Sequence, residues 1–506
     1  MSRTPKEHFK RTKELAQALT KSDIYNWLVT KGYFPESYVL PPCFTVTQYP
    51  AFGKVYFQHT KNNFKPKISE FQQVHFPKTE LTDRTFGIID PEIHSDIAFT
   101  IAHNWDDIVS CIFHKDNKVS SYSFPIPVDD KKSGMIGELR SGRMIYEFIE
   151  MAENDVASIA FRYKYLLKTD IKNFYPSIYT HSIPWSLHDK SVVRHPSNRQ
   201  NYDFIGNRLD KLFQNANDGC TNGVPIGPVV SDIISEIVLS GVDRELSKSL
   251  KNDVVVVRFK DDYRILAKSE IEGRSVIKAL QAALKEYRLE LNDGKTEIHR
   301  LPNGLFRHWV SEYHAVNPQP KEHYDYKHFK EVCLSVIKID KNNPGTGVID
   351  RFLADIVDKN YEVRIDELES KSLTKVISLL LMFAELRIKS FPKVLAIIEA
   401  ILRSNFGSKH IDLIVEHLEE FLQELKAHEM NNRYLITWII YFIRSNYLED
   451  RLKEPYNFSD PIVCATHNDK FTVFDKCQDF KMFSDVQIVA KEVTLLEHLD
   501  VFKPQE

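Results

Sequence analysis

No two of the six cysteines (Cys43, Cys111, Cys220, Cys333, Cys464, Cys477) form a C-x-x-C pair, and none of the nineteen histidines sits in an H-E-x-x-H run. That argues against a structural zinc site, a disulfide framework and a zinc protease, and scattered thiols fit a reducing compartment. The chain also lacks an excess of either charge: 67 Lys and Arg against 70 Asp and Glu leave a net charge of -3. Nucleic-acid binders are often strongly basic, so such a partner would have to be met by a local patch. Long apolar runs are missing as well. The most apolar stretches, Val376–Ala384 and Tyr434–Ile443, are too short to span a bilayer and read as buried helix. The opening MSRTPKEHFKRTKEL has no apolar core of a signal peptide. The expectation is a soluble, cytoplasmic protein with no membrane partner.

What is present is core material: 42% of the 506 residues are hydrophobic and 12% aromatic, enough for two or three domains. Ser22 can cap a helix through Lys31, with Gly32 and Pro35 beyond it. Residues 39–86 read as short strands and loops. Ser123–Val128 is extended, a polar turn follows at 129–134, and residues 137–155 carry a helical run. Tyr163–Ile171 is a buried strand that ends on an aspartate, and residues 190–200 are a basic loop. Residues 201–214 and 271–287 are helical, and Val229–Leu246 reads as a long amphipathic helix. Pro, Asn and Gly between 318 and 347 suggest a linker, placed at 321–347. Residues 348–453 then form successive amphipathic helices, a degenerate helical stack. The last fifty residues are mixed and partly strand-like.

The most telling stretch is Val254–Lys268, VVVVRFKDDYRILAK. An apolar β-branched run, a short polar break and a second strand pattern make a β-hairpin with Asp261 and Asp262 at its tip. Aspartate is also an ordinary turn residue, so the pair alone says little. Phosphoryl transfer to a hydroxyl uses two metal ions about 4 Å apart, held by carboxylates from separate strands. Asp170, which ends its own strand, would supply the third carboxylate. Taken singly it reads equally as a turn or helix cap.

Order adds to spacing. Asp170-Ile171-Lys172-Asn173-Phe174-Tyr175-Pro176-Ser177-Ile178 resembles motif A of reverse transcriptases, and Gly223-Val224-Pro225-Ile226-Gly227-Pro228 resembles motif B. Phe259-Lys260-Asp261-Asp262 resembles motif C, and Leu291-Asn292-Asp293-Gly294-Lys295 resembles motif D. The resemblance implies an α+β chain: right-hand polymerase fingers and palm, with an antiparallel sheet, over residues 1–320 (the palm at about 160–310). An all-α, HEAT-like region would follow at 348–506. It implies that Asp170 and Asp261 hold two Mg²⁺ ions, or Mn²⁺ in their place, with Asp262 the less essential carboxylate and the Ile171 carbonyl an extra ligand. Tyr175, beside Phe174, would be a steric gate against the ribose 2′-hydroxyl; as a residue it could equally be a core aromatic. Lys295 would touch the triphosphate or protonate pyrophosphate, or else be a solvated lysine after a turn. Arg140, Arg143 and Lys164 would clamp phosphates, or form a solvated helix face. Gly223, Pro225 and Gly227 would let a nucleotide lie against backbone.

Three positions depart from the reverse-transcriptase pattern. Ile226 stands where glutamine is usual, Lys260 where a small residue precedes the aspartates, and Glu236 where templated enzymes often carry asparagine. Ser177–Trp185, Ile488–Val493 and the helical C-terminal region are similar to the abortive-infection (Abi) polymerases of phage defence, the AbiK-like group. That likeness implies template-independent addition of deoxynucleoside triphosphates, primed by a protein hydroxyl so that single-stranded DNA stays covalently attached. It also implies a homo-oligomer, a trimer or hexamer. Tyr25, Tyr33, Tyr38, Tyr49 and Tyr56 are candidate primers. Two rival readings stand beside it: a templated RNA-directed DNA polymerase of retron or group II intron type, and a non-catalytic scaffold acting through its helices.

Overall fold

The computed structural model describes residues 4–78, 82–125, 142–251, 253–318, 323–358, 360–365, 370–453, 455–474 and 476–499; for 142–150 and 370 it describes backbone alone. Arg140 and the turn at 129–134 lie outside the described residues, as does the side chain of Arg143.

Two sheets position the site. β1 (Gln72–Pro77) and β2 (Asp83–Ile88) form an antiparallel hairpin of their own. β3 (Val119–Ser121), β4 (Tyr165–Asp170), β5 (Val255–Phe259), β6 (Asp262–Ala267) and β7 (Glu297–Arg300) form one sheet in the spatial order β3-β5-β6-β4-β7. The neighbouring pairs β5–β6, β6–β4 and β4–β7 are antiparallel, as expected, and β3 adds to β5 in parallel. Valine, isoleucine and leucine dominate β4–β6 because both sheet faces are covered; β-branched side chains suit that environment.

The central helix, Val229–Ser249, was expected to show one apolar face. It is instead buried nearly all round, against helices Trp105–Ile112, Ser182–Leu187 and Glu270–Glu286. Its buried acids Asp232, Glu236 and Asp243 are bonded to other protein groups. The second helix starts at Lys21 with Thr20, not Ser22, as its cap: the Thr20 hydroxyl accepts the Asp23 N–H.

The expected linker at 321–347 is overturned by the helix Tyr326–Asn342. Phe329, Val332, Cys333, Val336 and Ile339 bury one face of it in the same apolar core as the following helices. Helices Val348–Asp355, Ser370–Leu386, Phe391–Arg403, Ile411–Lys426 and Glu429–Ser445 continue the region. The last fifty residues hold helices Pro461–Asn468, Val486–Glu492 and Leu495–Leu499 and, among the described residues, no strand. The strand-like reading there is corrected. Asp460 and Asp485 cap the first two of these helices, an order the side chains supply and composition hides.

This region packs back on the β1–β2 hairpin. Phe76 and Tyr434 meet edge to face at 5.0 Å, and the Tyr434 hydroxyl donates to the Tyr38 carbonyl at 2.8 Å. One core therefore runs from Tyr33 to Leu499. No helix among the described residues is long and apolar enough to cross a membrane.

Candidate active site

The register of the sheet brings the acids together. Asp170, the last residue of β4, pairs directly with Asp262, the first of β6, and Phe259 pairs with Asp262 across the hairpin. Directly opposed antiparallel residues have Cβ atoms about 5 Å apart on the same face. The turn between β5 and β6 is therefore only Lys260 and Asp261. Lys260 takes φ of 48°, the left-handed conformation that two-residue hairpin turns demand. Asp261 is tied to β4 by its carbonyl, which accepts the Ile171 N–H at 3.2 Å. The motif D segment closes the other side: Asn292 N–H donates to the Asp170 carbonyl at 2.9 Å.

Charge at this corner is unbalanced. Lys295 Nζ donates to Asp170 Oδ2 at 2.8 Å, and that bond raises the ammonium above its ordinary pKa. Asp170 Oδ1 is buried and has no hydrogen-bond partner. Desolvation pushes the Asp261 carboxyl up; the Asp170 charge adds to the rise, and Lys260 and Arg84 oppose it. Asp262 is pushed up to about 6 by desolvation and by the charges of Asp261 and Asp170. A buried carboxylate oxygen without a donor beside two further strained carboxylates is a donor set for a hard divalent cation. Among the described residues no three such side chains are already gathered as a metal cage, so binding would have to draw them in and displace Lys295.

A pH prediction follows. The folded chain holds the Asp262 proton more tightly than the ordinary 3.8, so this group costs stability as pH rises from about 4 through about 6. A bound cation removes that cost only when the carboxylate is ionised. Millimolar Mg²⁺ should raise the melting temperature by about 2–5 °C near neutrality and by much less at a pH of about 5. Differential scanning fluorimetry reads both, and Asp261→Asn should remove the shift.

Tyr175 follows Asn173, whose left-handed φ of 48° turns the chain out of β4 into the short helix Phe174–Ser177. The Tyr175 hydroxyl donates to Asp232 Oδ1 at 2.5 Å, and Lys260 Nζ lies 3.3 Å from the same oxygen and 5.8 Å from the ring centroid. Burial and the Asp232 charge raise the phenol well above its usual pKa. The ring is thus a fixed wall. Phe174 is 3% exposed and packs into the core beneath it, so it meets a nucleotide with backbone only.

The motif B loop is held from both sides. Gly223 N–H donates to the Ile178 carbonyl at 2.8 Å and Val224 N–H to the Tyr175 carbonyl at 3.1 Å. Gly87 of β2 donates to the Ile226 carbonyl at 2.8 Å. Pro225 is buried against Gly87. Gly227 has φ of 127°, and a Cβ there would lie 2.9 Å from Pro35 and 3.2 Å from Phe86. Backbone strain and crowding add, so Gly227→Ala should lower unfolding free energy by about 2 kcal/mol or more, read from urea melts.

Lys164 is corrected. It lies at the opposite end of β4 from Asp170, about 20 Å away along the strand at 3.3 Å per residue. It cannot reach a triphosphate held by Asp170. The cations whose charge reaches Asp261 and Asp262 include Lys260, Arg264, Lys295 and Arg84, the last on β2 and unforeseen from motif spacing.

Behind the hairpin stands a buried network that the motifs also omit. Arg258 donates to Glu236 Oε1 at 2.9 Å and Oε2 at 3.1 Å, and to Asp243 Oδ2 at 2.9 and 3.0 Å. Ser121 and Ser123 complete Glu236, and Tyr263 completes Asp243. Ser123 also accepts the Lys260 N–H at 2.7 Å, and Arg258 donates to the Lys260 carbonyl at 3.3 Å. The tip carrying Asp261 is thereby pinned from inside. Asp232, Glu236 and Asp243 stand four and seven residues apart and are the charged residues of the first fifteen positions of the central helix. That spacing sets them on related faces and was the signal available in the sequence.

Of the candidate primers, Tyr25 and Tyr33 are fully buried and donate to Pro50 and Ile89 carbonyls, and the Tyr56 hydroxyl donates to Asp479. Tyr38 and Tyr49 are half-buried.

Residues 132–327 match the family described as reverse transcriptase (RNA-dependent DNA polymerase). No curated protein matches the chain. Solved structures that it resembles include apo telomerase from Candida tropicalis truncated from its C-terminal domain, with TM-score 0.31 and 13% identity, covering 47% of this chain and 52% of that one. Apo telomerase from Candida tropicalis gives TM-score 0.32 and 11% identity over 78% and 71% of the two chains. Telomerase from Candida albicans in complex with a TWJ fragment of telomeric RNA gives 0.28 and 11% over 69% and 64%. The chain therefore spans about half the length of the first of these. A reverse-transcriptase-type polymerase domain is present, and its matched span holds Asp170, Asp232, Glu236, Asp243, Asp261 and Asp262.

Proposed function

We propose that this chain is a DNA polymerase of phage defence, extending a protein hydroxyl with deoxynucleotides in the absence of a template. The observation that carries the polymerase reading is the pairing of Asp170 with Asp262 beside Asp261, inside the span that matches reverse transcriptases. Asp170, Asp261 and Asp262, with the Ile171 carbonyl, would hold two Mg²⁺ ions, which would activate the attacking hydroxyl and steady the leaving pyrophosphate.

The chain's own residues do the rest. Lys295, released from Asp170, meets the triphosphate. Arg84, on the β1–β2 hairpin, would join it together with Arg140 and Arg143. Tyr175, locked by Asp232, blocks a 2′-hydroxyl and selects deoxynucleotides. Gly223, Pro225 and Gly227 present backbone to the sugar and base.

Two features support template independence. Ile226 has no polar side chain with which to test a base pair, and both Glu236 oxygens are taken by Arg258 and two serines. Tyr38, Tyr49 and Tyr56 are the partly exposed members of the candidate primers. The helices from 348 onward, read as a HEAT-like stack, would carry the contacts of a homo-oligomer.

Purified protein is incubated with Mg²⁺ and labelled deoxynucleotides alone, then run on a denaturing gel. A nuclease-sensitive rise in mass, absent in Asp170→Ala, is the expected result. Incorporation that requires added RNA and primer would replace this reading with templated synthesis, the activity named by the matched family. No incorporation under either condition would leave a scaffold.

A further inference from the structure

Away from the acids, a second feature combines aromatic rings with cations. Arg288 lies over the Tyr179 ring at 4.1 Å, and Tyr179 meets Trp185 at 5.6 Å between centroids. Lys190 and Arg194 lie over Trp185 at 4.8 and 5.8 Å. Both rings are partly exposed, whereas the other four tryptophans, Trp27, Trp105, Trp309 and Trp438, are at most 8% exposed. Partly exposed rings set beside cations offer a stacking surface to a flat, negatively charged ligand.

Trp185 opens onto a groove of about 1970 Å³ at the C-terminal end of the central helix. Eight Lys and Arg line it against six Asp and Glu, with three histidines besides, in a chain whose overall charge is slightly negative. Some of those cations are neutralised in place: Lys190 pairs with Glu286 and Lys248 with Glu245. Arg194 and Arg199 are exposed, and among the described residues neither is in a salt bridge. Arg194 lies over Trp185, and Arg199 Nε donates to the Arg194 carbonyl at 3.0 Å.

The row starts beside the acids. Tyr179 is four residues beyond Tyr175 and bridges Asn222, next to Gly223. Arg288 is two residues before Glu290, whose carbonyl accepts the Lys172 N–H at 2.8 Å. From there the row runs into the groove.

We propose that Arg288, Tyr179, Trp185 and Arg194 form a track for single-stranded nucleic acid. Its bases stack on the two rings, and its phosphates are met by Arg194 and Arg199 in the groove. Single-strand sites join exactly such elements: stacking platforms tolerant of sequence and a basic groove along the backbone. The track needs neither bound metal nor nucleotide addition, so it stands or falls separately from the polymerase reading.

The test uses the full-length chain carrying Asp261→Asn, without nucleotides, and labelled 20-mers of about equal composition as DNA, RNA and abasic DNA. Either base-bearing strand should bind and quench tryptophan emission, and Trp185→Phe should abolish the quench. Arg194→Glu with Arg199→Glu, both on the surface, should weaken binding about tenfold and lower the salt slope by about 1.4, two contacts at 0.7 each. The stronger of the two strands identifies the sugar it favours. Unchanged affinity in the double arginine variant overturns the proposal. So does an abasic strand that binds as tightly as DNA, or a quench that survives Trp185→Phe.

Discussion

Asp261→Asn is expected to slow nucleotide addition by about 10³-fold or more, close to 4 kcal/mol of transition-state stabilisation. The side chain sits in a two-residue turn whose carbonyl is fixed to Ile171, so its carboxylate cannot be replaced by a neighbour that swings in. Asparagine keeps the shape and removes the charge. Stability should move the other way. Desolvation and the Asp170 charge both disfavour ionised Asp261 in the folded chain, so the neutral variant should melt at the same temperature or slightly higher when no metal is added. Asp262→Asn should cost less, about tenfold, because Asp262 is the carboxylate that the reverse-transcriptase pattern makes less essential. Single-turnover incorporation rates with a parallel melting curve separate these outcomes. Loss of both activity and stability would mean that Asp261 is a structural residue.

The acids were legible in the sequence because a buried strand ends at Asp170, a polar break in a valine run makes a turn at Asp261 and Asp262, and four motifs stand in order around them. The helix Tyr326–Asn342 was equally legible. Phe329, Val332, Val336 and Ile339 recur at helical spacing, but the Pro, Asn and Gly residues that flank them outweighed that pattern. Other features had no local signal. Arg84 approaches the acids only because β1 and β2 fold over the motif B loop, where Gly87 binds Ile226. Lys164, named with Arg140 and Arg143 as a phosphate clamp, is six residues before Asp170, yet a strand carries each residue about 3.3 Å further away. A helix would have kept it close. Tyr175 was visible as an aromatic five residues past an aspartate, but its partner Asp232 lies on a different element.

Arg258 shows most sharply how a buried charge hides in an apolar run, and Arg258→Met is expected to destabilise the chain by about 3–5 kcal/mol. The guanidinium is 2% exposed and lies between Glu236 and Asp243, themselves at 1% and 0%. One cation against two carboxylates leaves negative charge in excess, and burial already lifts the Asp243 carboxyl above its usual range. Without Arg258 both carboxylates would be buried with hydroxyls as their only donors. They would take up protons or admit water, and the fold would pay for either. Replacing the arginine and both acids together, as Arg258→Met, Glu236→Gln and Asp243→Asn, should recover much of the loss, since what is expensive is the uncompensated charge and not the absence of the ion pair. Activity should not recover with it. Arg258 also holds the Lys260 carbonyl, and a tip freed from that bond loses the placement of Asp261 on which phosphoryl transfer depends. Urea melts of the single and triple variants, with incorporation rates for each, check the two halves. A triple variant as active as the parent would show that the network only stabilises the fold and does not position the hairpin.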